Sequence, residues 1–63
     1  MQAEDPIGVA RQVIERHGIR AAAVAEERAT EARLAGNAAE LDRWQSVQLL
    51  IAELRRTAGR KAA

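Results

Sequence analysis

Apolar residues recur at helical spacing in three stretches of the chain, and no stretch alternates apolar with polar residues as a half-buried strand does. The first stretch opens with Asp5-Pro6, an N-cap followed by Pro at the first helical position, where its missing N–H costs nothing. Ile7, Ala10, Val13, Ile14 and His17 then fall on one stripe, with Arg11, Glu15 and Arg16 outside it. Gly8 weakens the first turn by up to about 1 kcal/mol relative to Ala. His17-Gly18 reads as a stop, because Gly takes the left-handed conformation that closes a helix and His interacts favourably with the last carbonyls.

The second stretch predicts a helix over residues 20–35 with almost nothing bulky to bury. Ala22, Ala25, Ala29, Ala32 and Gly36 repeat by three and four and form a seam of small side chains. Such a seam lets a neighbouring helix approach toward the lower end of the usual ~8–10 Å, or receives large side chains into the space left. Gly36-Asn37 ends this helix and caps the next. The third helix, expected over residues 38–57, carries the strongest pattern. Trp44, Val47, Ile51, Leu54 and Ala58 are spaced by three and four, with Leu41 and Leu50 flanking. Gly59 and the polar tail behind it are expected to fray.

These elements predict an all-α fold of three short helices. Helices two and three form an antiparallel hairpin because their connection is short, with Trp44, Val47, Ile51 and Leu54 packed against the Ala seam. Helix one folds over one end, where Val13 and Ile14 close the core around Trp44. The expected organisation is a single domain over residues 1–58 and a basic tail over 59–63.

Four apolar residues fit this core poorly. Leu34 lies opposite the alanine seam, Leu49 lies opposite the stripe of helix three, and Val24 and Leu50 sit at stripe edges. Length sharpens their meaning. A chain of 63 residues buries only about 60% of the surface it exposes when unfolded, and without Cys it has no disulfide or thiolate zinc site to compensate. Self-association into a homodimeric bundle, or docking on another protein, is therefore the economical reading, with Val24, Leu34, Leu49 and Leu50 as candidate interface.

Charge adds little. Ten basic against nine acidic residues leave +1, so no global field draws nucleic acid or an acidic membrane. The basic set is nine Arg and one Lys, which with fifteen Ala suggests a GC-rich bacterial genome. No apolar run reaches the roughly 18–20 residues that span a bilayer, and the N-terminus lacks the basic start and apolar middle of a signal peptide. A cytoplasmic protein is expected.

Candidate chemistry is equally sparse. His17 is the only histidine and has no paired ligand or HExxH-type spacing, so neither a metal nor a cofactor is expected. Glu26, Glu27 and Glu31 interleave with Arg28 and Arg33 as a solvated, salt-bridged face, and Ser46 has no plausible triad. No catalytic residue is assigned. A helix-turn-helix is suggested by Ala32 four residues before Gly36, but Asn37 and Asp42 occupy positions that should be apolar. A nucleic-acid regulator is thus the alternative reading only, with Arg55, Arg56, Arg60 and Lys61 as its contacts.

One resemblance spans about residues 7 to 55. Ala10, Val13, Ile14, His17 and Gly18, then Ala21 and Ala25, then Gly36 and Asn37, then Trp44, Val47, Ile51 and Leu54 follow an order similar to that of small helical proteins common in alphaproteobacteria. The resemblance implies a bacterial source and a compact helical fold, and carries no activity. The expected function is a non-catalytic protein–protein interaction module, a small accessory or regulatory protein.

Overall fold

The structure, a computed structural model, describes residues 5–62, with side chains through residue 57. It is all-helical, with no strand among the described residues. Helix α1 (Pro6–His17) leads through a single 3-10 turn (Gly18–Arg20) into α2 (Ala21–Leu34), and α3 (Ala38–Ala62) follows. The expectation of three separate helices needs correcting. No non-helical residue stands between Pro6 and Leu34, so the chain forms two helical runs divided only at residues 35–37. The reason lies at Gly18, whose φ of 58° closes α1 while the backbone resumes helical winding at once.

Local chemistry fixes each helix end. At α1 the Asp5 carboxylate accepts the Ile7 N–H at 3.2 Å, and Pro6 occupies the first turn. At the other end the Gly18 N–H donates to the Ile14 carbonyl. The α2–α3 connection is tighter. Gly36, at φ 72°, donates its N–H to the Arg33 carbonyl at 3.1 Å, and the Asn37 N–H donates to the Ala32 carbonyl at 2.9 Å. These two bonds are the Schellman closure of α2. The Asn37 side-chain oxygen meanwhile accepts the Glu40 N–H at 3.1 Å and caps α3.

The core is small. Ala10, Val13, Ala21, Ala25, Ala29, Ala32, Val47 and Ile51 are buried, and among the described residues only Ile51 and Val47 are large side chains with no exposed surface. Val9, Ile14, Val24, Trp44, Leu50 and Leu54 pack around them, each partly buried. The seam against α3 therefore exists but in a shifted register. Ala21 heads it, whereas Ala22 is exposed and Gly36 lies outside it. Alanine on several sides of α2 gives hydrophobicity nothing to choose between, so the bulky residues of α1 and α3 set the register instead.

Trp44 is not the main core residue the spacing suggested. It is half-buried, and its indole N–H donates to Glu40 Oε1 at 3.2 Å. An indole is large and needs a hydrogen-bond partner, which a site at the edge of a thin core provides. The second departure is length. Helix α3 runs through Gly59 to Ala62 rather than ending near residue 57, so residues 59–62 of the expected tail are helical, and residue 63 lies outside the described residues. One interior Gly costs about 1 kcal/mol relative to Ala, and Ala58, Arg60, Lys61 and Ala62 around it are good helix formers.

Candidate interaction surface

The four residues expected at an interface separate into three environments. Leu34 is 82% exposed and Leu49 is 71% exposed, whereas Val24 and Leu50 are half-buried against the core. Leu34 lies two residues beyond buried Ala32, and Leu49 lies midway between buried Val47 and Ile51. Each therefore points away from the face its helix turns toward the other helix. Because α2 and α3 pack on each other, Leu34 and Leu49 emerge from different sides of the molecule and do not form one patch. Leu50 belongs to the core. Val24 reaches the surface only along the edge of a cleft.

Two further apolar residues are exposed in a way the periodicity does not anticipate. Ile19 is 91% exposed in the 3-10 turn, and Ile7 is 44% exposed in the first turn of α1. Ile19 carries a signal of its own: an isoleucine directly after His-Gly belongs to neither helical stripe.

A cleft of about 290 Å³ opens where α1, α2 and the start of α3 meet. Val9, Val13, Val24 and Trp44 supply its apolar wall, and Gln12, Arg16, His17, Arg28 and Arg43 its polar lining. No carboxylate lines it among the described residues. Glu31 pairs with Arg28 at 3.3 Å, and Glu40 pairs with Arg43 at 3.3 Å, in both cases at i,i+3 spacing. Glu40 also accepts the Trp44 indole N–H, so one carboxylate in the first turn of α3 fixes both Trp44 and Arg43.

Two of the four tail cations named for nucleic acid make contacts within the chain. Arg55 donates from Nη2 to the Gly18 carbonyl at 2.6 Å, tying α3 to the turn after α1. Arg56 pairs with Glu53 at 3.7 Å. The side chains of Arg60 and Lys61 lie outside the described residues. His17 is exposed beside the cleft, and no group of three or more His, Cys, Asp or Glu residues is placed to hold a metal among the described residues. No described helix is long and apolar enough to cross a membrane. No family model matches the chain, and no curated protein or solved structure matches it either.

Proposed function

We propose that the chain works by binding, as a small non-catalytic interaction protein that assembles into a homodimeric helical bundle. The observation that carries this reading is a mismatch between core and surface. Among the described residues five of the eight buried ones are alanines, while Ile19, Leu34 and Leu49 are left exposed. Burying one such side chain contributes roughly 1.5–3 kcal/mol, which is large against the few kcal/mol a domain of this size holds. A partner that covers part of this surface supplies what the monomer core lacks.

Absolute mass in solution, measured by light scattering on a gel-filtration column over a hundredfold range of concentration, tests the assembly. A mass near twice 6.9 kDa at the upper concentrations is the expected result. A mass of one chain throughout overturns the homodimer.

A further inference from the structure

One residue bends the first helical run. At Gly18, φ 58° and ψ −127° fold α1 back against α2 and α3, and helical winding resumes in the same turn. Without that bend, residues 6–34 would form one helix of 29 residues against the 25 of α3, or roughly 43 and 38 Å at 1.5 Å per residue. Helix α2 alone, with 14 residues, spans little more than half of α3. Only the straight run matches α3 in length.

The apolar phase also survives the bend. Buried Ala10 and Val13 are followed at steps of four by His17, Ala21, Ala25 and Ala29, and then by Ala32. Ala10 and Ala32 are 22 residues apart, about six whole turns, so a straight helix would carry the buried residues of α1 and α2 on one side. Two helices joined by a free loop need not share a phase.

We propose that Gly18 is a hinge and that two copies of the chain exchange their α1 helices across a two-fold axis close to it. In each open copy residues 6–34 form one helix antiparallel to α3, and α1 reaches past Gly18 onto the α2–α3 hairpin of the other copy. The proposal rests on the homodimer reading above and specifies its geometry. Each α1 carries Ala10 and Val13, and the surface it leaves holds Ala21, Ala25, Val47 and Ile51. These residues already form one core in the closed chain, so a second copy fits without any new complementary surface. Exchange of an identical element is for that reason a low-cost route to dimers, and a short, strained connection favours it. The polar tie at the hinge is easily released, because the Arg55 guanidinium that donates to the Gly18 carbonyl at 2.6 Å is exposed to water. Helix α3 continues from Arg55 to Ala62, and the straightened run follows that extension.

Distance and mass together test the exchange. Gln12 and Arg28 line the same cleft in the closed chain, but on a straight helix they are 16 residues, or roughly 24 Å, apart. The chain has no Cys, so Gln12→Cys and Arg28→Cys introduced together carry the only nitroxide labels. Dilution of the labelled chain in natural chain confines the measured distance to one copy. The expected result is a short distance where the mass is that of one chain, and a distance of roughly 24 Å where the mass doubles. Gly18→Ala is the second arm, since Ala suits the straight helix and resists the closed turn. It destabilises the monomer but is expected to tighten dimerisation about tenfold or more. A dimer that keeps the short distance overturns the exchange and leaves self-association through an exposed face. So does a Gly18→Ala chain that stays monomeric or unfolded where the natural chain dimerises. A natural chain that is monomeric at every concentration overturns the exchange and the homodimer together.

Discussion

Gly18 and Gly36 look equivalent in the sequence, since each closes a helix, but they do different conformational work. At both sites an added Cβ would meet nothing within 4 Å, so the cost of Ala is purely a matter of backbone angles. Gly36, at φ 72°, is in the left-handed region that Ala tolerates at about 1 kcal/mol. Gly18 combines φ 58° with ψ −127°, which only glycine adopts readily. Gly18→Ala is expected to cost roughly 2–3 kcal/mol and Gly36→Ala about 1 kcal/mol, which thermal melting resolves at about 4–8 °C per kcal/mol for a chain of this size. Equal melting temperatures would contradict this ranking. At this scale the sequence was most informative, because Asp5, Gly18, Gly36 and Asn37 act on backbone groups within five residues of themselves and need no distant partner. Arg55 was not legible, since nothing local connects it to a carbonyl 37 residues away.

For the helices, legibility followed the size of the side chains. The stripe of α3 placed Val47 and Ile51 correctly because bulky residues at spacing four define a single face. The seam of α2 is displaced from its predicted register, since Ala22 and Ala21 differ in no property a pattern can detect. The two registers predict opposite outcomes. Ala25→Leu, at a site with no exposed surface, overpacks the seam and is expected to cost about 1–3 kcal/mol. Ala22→Leu, on the exposed side, is expected to change stability by under about 0.5 kcal/mol, and urea unfolding of the pair checks both.

The whole molecule has very little in reserve. A domain of this length holds on the order of 3–9 kcal/mol at the usual ~0.05–0.15 kcal/mol per residue. Ile51→Ala, which empties one of the two large fully buried sites among the described residues, is expected to cost about 2–5 kcal/mol, and circular dichroism at 25 °C should show much of the helix lost. A melting temperature that rises with protein concentration is the corresponding sign that association adds to this stability. Full retention of helix in the Ile51 variant, at a concentration where the chain is monomeric, would mean that the monomer has another source of stability. Asn37 governs how such stability is lost. Its N–H closes α2 while its side chain starts α3, so neither helix owns its end at the turn. Amide hydrogen exchange at Asn37 and at Glu40 should consequently proceed with one protection factor, the hairpin opening as a single cooperative unit instead of fraying one helix at a time.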